Sequence, residues 1–308
     1  MSDTPSLNRR QLLVAGAALP AAAAVPGVAL AKSDMKGASS ASINRFVLGD
    51  FEVTTMLAGS RSFDGPHGIF GQNVSEEEFK AVSEANFLPT DVVQFYFNPT
   101  VVNTGAELVL FDTGLNPDAI VGVLGEAGYA PEDIDVVVIT HMHGDHIGGL
   151  MGDAGATFPN ARYVTGETEF DHWAGAENDT FDGKMRPLAE KTGFIKDGGS
   201  VARGVTAVSA FGHTPGHMNY MIESGGKQVL LTADTANHYV WSLAYPDWEV
   251  RFDMDKAGAA AARGKILGML AADKIPFIGY HMPFPGVGYV EQRGEGFRYV
   301  PVSYQLQL

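Results

Sequence analysis

His141-Met142-His143-Gly144-Asp145-His146 packs three of the chain's nine histidines and a carboxylate into six residues, directly after the apolar run DVVVIT. Imidazole is a poor core residue and a poor turn former, so packing does not account for the cluster. Metal ligation does. Two histidines two apart in a turning loop can converge on one cation, as His141 and His143 would, while Asp145 and His146 face the other side and can serve a second. A catalytic cation keeps three protein ligands and one open position. Each ion of such a pair therefore needs one further ligand, and the two need a bridge. Candidates stand downstream at strand ends: His213 and His217 in the turn GHTPGH, Asp234 closing LLTADT, and His281 after IPFIGY.

Composition narrows the chemistry. The chain has 308 residues and no cysteine, which excludes a disulfide framework, a thiolate site and a cysteine nucleophile, and leaves only nitrogen and oxygen to hold a metal. A net charge of −15 argues against nucleic acid and against an anionic membrane surface, both of which need a basic face. A hydrophobic content of 45% is that of a globular protein with a core.

Arg9 and Arg10 precede an alanine-rich apolar stretch, interrupted by Pro20 and Pro26, that ends in Ala29-Leu30-Ala31 before Lys32. This pattern predicts a cleaved twin-arginine export signal over residues 1–31 and a periplasmic or secreted mature chain without stable membrane insertion. Residues 32–42, KSDMKGASSAS, predict a flexible lead-in, and residues 43–308 a single domain with no internal break in composition.

The elements that must position the candidate ligands are legible in outline. RFVLGDFEVTTMLAG alternates as a strand pair, and VVQFYFNPTVVNTGAELVLF as consecutive strands with a turn at Thr104-Gly105. Ser75 and Glu78 form a capping box ahead of a helix, and NPDAIVGVLGEAGY predicts another. IDVVVIT predicts a buried strand delivering the histidine cluster. ARYVT, VTAVSAF, MNYMIES and KQVLLTAD read as strands, residues 166–192 as helical segments, 253–272 as a long helix, and IPFIG as a final strand.

In this order, H-x-H-x-D-H at 141–146, T-P-G-H at 214–217, a strand-end Asp234 and a late His281 resemble the ligand series of the metallo-β-lactamase-fold hydrolases. FDTG at 111–114 resembles a strand end of the same superfamily. HMPFPGVGYV, YVPVSY and the twin-arginine leader look most similar to its methyl parathion hydrolase and lactonase-like branch. The resemblance implies an α/β (α+β) fold, a four-layer αβ/βα sandwich with two divalent cations at one edge between the sheets. Zinc is the first expectation, and manganese, cobalt or iron would accept the same donors. Residue by residue it implies His141, His143 and His217 on the first ion, Asp145, His146 and His281 on the second, and Asp234 bridging. His213 then falls to a structural role in the turn, and Asp112 to orienting a ligand by hydrogen bond.

Two cations about 3.5–4 Å apart would bring a bridging water to a pKa of about 7 and polarise a substrate oxygen. Asp234 and Asp145 would be the catalytic carboxylates, Asp234 orienting that hydroxide. Phe63, Phe70, Phe95, Phe97, Trp173, Trp241, Tyr245 and Phe284 are candidate pocket walls, with Trp173 foremost because EFDHW resembles a pocket-lining segment of that branch. His238, four residues past Asp234, is a further candidate; His67 and His172 have no motif support. No cluster of lysines or arginines adjoins the ligand motifs, which favours a small neutral, apolar substrate. The expected function is an exported dinuclear hydrolase that uses a metal-bridging hydroxide to open lactones or cleave neutral esters, acyl-homoserine lactones included. An organophosphate triester hydrolase is the alternative, a non-catalytic metal- or ligand-binding protein the reading from another class, and a homodimer stays open.

Overall fold

Alternation with a period of two decides the architecture. Val109 and Phe111 point to one core and Leu108 and Leu110 to another; Val136 and Val138 oppose Val137 and Ile139 in the same way. A strand apolar on both faces must be covered on both faces. The computed structural model describes Gly37 and residues 39–306; the twin-arginine segment and most of the lead-in lie outside the described residues, and the first strand begins at Ile43.

Two seven-stranded sheets follow one another along the chain. The strands of these sheets, numbered in chain order, are β1 Ile43–Leu48, β2 Phe51–Met56, β3 Thr100–Asn103, β4 Leu108–Phe111, β5 Val136–Ile139, β6 Arg162–Gly166 and β7 Thr192–Ile195 in the first. The second holds β8 Ser200–Ala202, β9 Val205–Ser209, β10 Met218–Ser224, β11 Lys227–Ala233, β12 Phe277–Gly279, β13 Val287–Arg293 and β14 Gly296–Pro301. β1 to β4 pair antiparallel and β4 to β7 parallel. The second sheet is antiparallel except at β11 and β12.

Among the described residues six α-helices connect them: α1 Glu76–Ala85, α2 Pro117–Ala127, α3 Gly144–Ile147, α4 Glu167–Gly175, α5 Asp179–Lys184 and α6 Lys256–Asp273. Each long helix starts where a cap stands. Ser75 Oγ accepts the N–H of Glu78, Asn116 Oδ1 that of Ala119, and Asp255 Oδ1 that of Gly258, satisfying donors the helix cannot. α2 is the crossover between parallel β4 and β5, and α6 that between β11 and β12.

One core lies between the sheets, where Phe46, Val109, Phe111 and Val138 meet Tyr220, Ile222, Leu231 and Ile278. The outer face of the first sheet packs on α2, α4 and α5 through Leu110, Val137, Ile120, Leu124, Trp173 and Phe181. That of the second packs on α6 through Leu230, Phe277, Ile266, Leu267 and Leu270. The result is the four-layer αβ/βα order that the resemblance implied.

Several strands escape the sequence pattern, Thr192–Ile195 and Ser200–Ala202 among them. IPFIG is not the last strand, because the hairpin of β13 and β14 follows, turning at Gly294 with φ 61. Gly59–Asp64 pairs with Val92–Phe97 as a two-stranded ribbon outside the sheets. Its sequence GSRSFD is mostly exposed, so no buried face leaves an apolar alternation to read.

Candidate metal centre

The candidate ligands collect at one edge of both sheets because each follows a strand end. β5 delivers His141 to His146, the β9–β10 turn His213, β11 Asp234 and β12 His281. Two residues there hold positive φ without being glycine, Asp112 at 59° after β4 and Ala233 at 42° ending β11. Such a conformation costs about 1–2 kcal/mol, and here it re-aims two chains at the same point. Gly216 is the opposite case: a Cβ there would sit 2.2 Å from the backbone nitrogen of Glu169, so the turn reaches α4 only as glycine.

Two groups of donors result. One ligand atom from each of His141, His143, His213 and Asp234 falls within 4.8 Å of the others, and the same holds for Asp145, His146 and His281. His143 Nδ1 is 3.1 Å from His141 Nε2 and 3.0 Å from His213 Nε2. In the second group His281 Nε2 is 3.4 Å and His146 Nε2 3.7 Å from Asp145 Oδ2. Asp234 belongs to both. Its Oδ2 lies 3.3 Å from His213 Nε2 and 3.1 Å from His281 Nε2, and its Oδ1 lies 3.3 Å from His146 Nε2.

The donors fit divalent cations. His213 Nδ1–H donates to Asp253 Oδ1 at 2.8 Å, His146 Nδ1–H to Asp112 Oδ2 at 2.8 Å, and His281 Nδ1–H to the carbonyl of Tyr96 at 2.8 Å. Each outer partner takes the ring proton and leaves the Nε2 lone pair facing inward. His146 Nε2 and Asp234 Oδ1 are buried without a hydrogen-bond partner, which a buried polar atom seldom is. Burial holds the His141 imidazole well below its ordinary pKa and that of His143 at about 3, so both are neutral donors. At His146 and His281 burial is outweighed by Asp234 and the neighbouring carboxylates, which raise both. Asp234, despite burial, is held well below the carboxylate range by His281 and His146. The centre calls for positive charge, and the two donor groups with their shared carboxylate suit two divalent metal ions.

One expectation is corrected. His217 was placed on the first ion and His213 in a structural role; the structure exchanges them. His213 joins the donors. His217 Nε2 instead accepts the backbone N–H of Asp234 at 3.1 Å, with its ring 5.0 Å from that of His141, and so braces the strand end that carries the bridging carboxylate. Two histidines four apart on one turn look alike in sequence. What separates them is Asp253, forty residues away.

Asp112 does orient, accepting from Thr140 N–H, Thr140 Oγ–H and His146 Nδ1–H. Glu169 was not foreseen. Fully buried, it accepts Met142 N–H and Trp173 Nε1–H on Oε1, and Thr214 Oγ–H and Gly216 N–H on Oε2. It thereby ties the HMH loop to the HTPG turn.

A cleft of about 370 Å³ opens over His143, Asp145, Asp234 and His281. Phe63, Phe95 and Phe97 line it as expected, joined by Leu115, Phe252, Arg61 and Arg251. Six expected wall residues, Phe70, Trp173, Trp241, His238, Tyr245 and Phe284, do not line it. Trp173 stands behind the donors, its ring 6.0 Å from that of His143 and its N–H held by Glu169. Trp241 is buried among Phe70 and Phe79, and His238 stacks on it at 3.9 Å while accepting the N–H groups of Val240 and Trp241. Phe284 is half-buried away from the lining, and Tyr245 stacks on Trp248. The sequence shows no cluster of lysines or arginines near the ligand motifs, but the fold brings Arg61 and Arg251 from distant positions to the same cleft.

Comparison with known proteins follows the same lines. Residues 95–276 match the family described as the metallo-beta-lactamase superfamily. An N-acyl homoserine lactonase of Bacillus sp. is 32% identical over 120 residues, 39% of this chain and 45% of that protein. The chain thus spans about half the length of the curated relatives it matches. Among solved structures, AidC, a dizinc quorum-quenching lactonase in complex with a product N-hexnoyl-L-homoserine, aligns with a TM-score of 0.79 at 26% identity, over 86% of this chain and 98% of that one. The hydrolase AbOPH, in the beta lactamase superfamily, aligns with a TM-score of 0.80 at 22% identity, over 87% and 100%, a likeness of fold.

Proposed function

The chain belongs to the metallo-beta-lactamase superfamily, and on that premise we propose that it is a dinuclear-metal hydrolase that opens lactones or cleaves carboxylic esters, acyl-homoserine lactones among them. His141, His143 and His213 would hold the first ion, Asp145, His146 and His281 the second, with Asp234 available to both. The observation that carries this reading is the single buried carboxylate shared by two donor groups at the floor of an aromatic cleft. Bound there, two divalent ions, zinc first, supply Lewis acidity and bring water to a pKa of about 7.

The chain's own groups do the rest. Asn237 Nδ2–H fixes Asp234 Oδ2 at 2.9 Å, so the shared carboxylate has one orientation. The Asp145 side chain is 24% exposed against 4% for Asp234; it opens on the cleft and is the carboxylate placed to carry a proton to the leaving oxygen. Phe63, Phe95, Phe97 and Phe252 seat an apolar arm and exclude water around the scissile bond, which strengthens every electrostatic contact there. Support from relatives is the lactonase at 32% identity and the AidC likeness.

Metal analysis combined with a substrate panel tests the reading. Two metals per chain are expected, with turnover of lactones or esters that disappears on chelation and in His143→Ala. A kcat/KM higher for paraoxon-type triesters than for any lactone or ester would move the assignment to phosphotriesters, and metal-loaded protein inert on every substrate would leave a binding role. Export rests on Arg9 and Arg10: the exported chain should begin near Lys32, and an Arg9→Lys/Arg10→Lys variant should stay in the cytoplasm.

A further inference from the structure

The cleft has two ends of different chemistry. At the inner end the His281 ring meets Phe95 at 5.1 Å and Phe97 at 5.6 Å. Phe95 continues outward to Phe63 at 5.3 Å and to Phe252 at 6.1 Å, both edge-on. Over each of these outer rings lies a guanidinium, Arg61 at 5.0 Å from the Phe63 centroid and Arg251 at 4.8 Å from that of Phe252.

Local structure fixes both arginines. In the ribbon Arg61 is paired with Phe95 and Gly59 with Phe97. Opposite residues of an antiparallel pair share a face, so Arg61 and Phe63 point to the same side as the two cleft phenylalanines. Arg251 is anchored through its backbone N–H to the carbonyl of Ile69 at 2.7 Å. A guanidinium lying over a ring keeps its edge N–H groups free. Among the described residues neither Arg61 nor Arg251 has a carboxylate within salt-bridge distance or a side-chain hydrogen bond, whereas Arg162, Arg186 and Arg263 each have both and Arg298 pairs with Glu291. In a chain of net charge −15, two exposed arginines without an ion-pair partner on one cleft present a local positive seat, while the cleft's carboxylates, Asp145 and Asp234, are engaged with the donor histidines.

We infer that the cleft selects esters or lactones whose apolar arm ends in a carboxylate, received by Arg61 and Arg251 at the mouth while the scissile group lies at the metal end. This rests on the hydrolase reading for the reaction, though not for the carboxylate seat itself. It departs from a neutral substrate: the aromatic row accounts for the arm, and the two cleft guanidinium groups account for its terminus.

Two measurements on the full, zinc-loaded protein separate these claims. The first compares kcat/KM for 4-nitrophenyl hydrogen suberate and 4-nitrophenyl octanoate, which share the scissile bond and chain length and differ in the distal carboxylate. The hemisuberate should lead by about tenfold at low salt, as expected of charge-assisted hydrogen bonds at a partly exposed site. That lead should shrink as ionic strength rises and approach unity in Arg61→Gln/Arg251→Gln. The second compares calorimetric affinities of suberate and octanoate, in which one carboxylate at the metal end is common to both; suberate should bind about tenfold tighter, again only with the arginines present. A ratio at or below unity in the unsubstituted protein, by either measure, overturns the inference, as does a preference that survives in the double variant. If suberate is preferred while neither ester turns over, the hydrolase reading fails and the seat stands. If both esters turn over equally, the seat fails and the hydrolase stands.

Discussion

Nδ1 of His213 lies 2.8 Å from Oδ1 of Asp253. The other carboxylate oxygen accepts Nη2–H of Arg263 at 2.8 Å, and Arg263 also donates to the carbonyls of Thr235 and Pro246. All three side chains are buried. A charge on α6 is thus relayed to a donor of the first ion. Burial works against the Asp253 carboxylate, but His213 and Arg263 hold it below its ordinary range, so it stays an anion that keeps the ring proton on Nδ1.

Asp253→Asn should weaken metal binding at the first ion by about 10–100-fold, the usual effect of losing a partner that orients a ligand. Competition with a chelating dye measures it. Unchanged affinity would show that the triad only packs.

His213→Ala and His217→Ala should part company. The first removes a donor, so elemental analysis should find a loss of about one metal per chain and of activity. The second removes the acceptor of the Asp234 N–H; it should lower thermal stability, by about 1–3 kcal/mol, and retain both metals. The reverse pattern would restore His217 as the ligand.

Glu169→Gln keeps the shape and removes acceptor capacity from a buried group receiving four hydrogen bonds. A loss of roughly 3 kcal/mol is expected, read as a fall of several degrees in Tm of the metal-loaded protein. Glu169 touches neither cleft nor ion, so KM for a short ester should change little. A Tm within a degree of the parent would remove Glu169 as the tie between the two loops.

His238 links stability to pH. Burial lowers its pKa from 6.5 to about 3, so the folded chain resists a proton that the unfolded chain accepts. Its contribution is complete above pH 6.5 and is lost as pH falls toward about 3, amounting to about 2 kcal/mol at pH 5. His238→Asn, whose Oδ1 can accept the same two N–H groups, should flatten the decline in stability between pH 6.5 and 4. Parallel Tm profiles for the two proteins would count against this.

Much of the site was legible because catalytic ligands sit in short runs of rare residue types. HMHGDH, the strand-end Asp234 and the late His281 needed no tertiary knowledge to be selected. The strands beneath them were legible from alternation, as at β4 and β5. What failed was whatever a distant chain segment decides. His213 and His217 differ only in that Asp253 reaches one of them. Trp173 and Trp241 are large and aromatic, which suits a wall and a core equally, and Glu169 and Ser83 claim their N–H groups for the interior. Arg61 sits on a ribbon strand with no buried face, and Arg251 in a segment without periodicity, so neither announced its place on the cleft.

The donors divide between the two sheets. The first sheet's loops contribute His141, His143, Asp145 and His146, and the second's His213, Asp234 and His281. Neither half of the polypeptide can therefore complete a coordination sphere while the other is unfolded, and the ions act as rivets across the seam. Ion release should open the molecule along that seam first, making amide exchange at the ends of β5 and β11 the earliest reporter of demetallation.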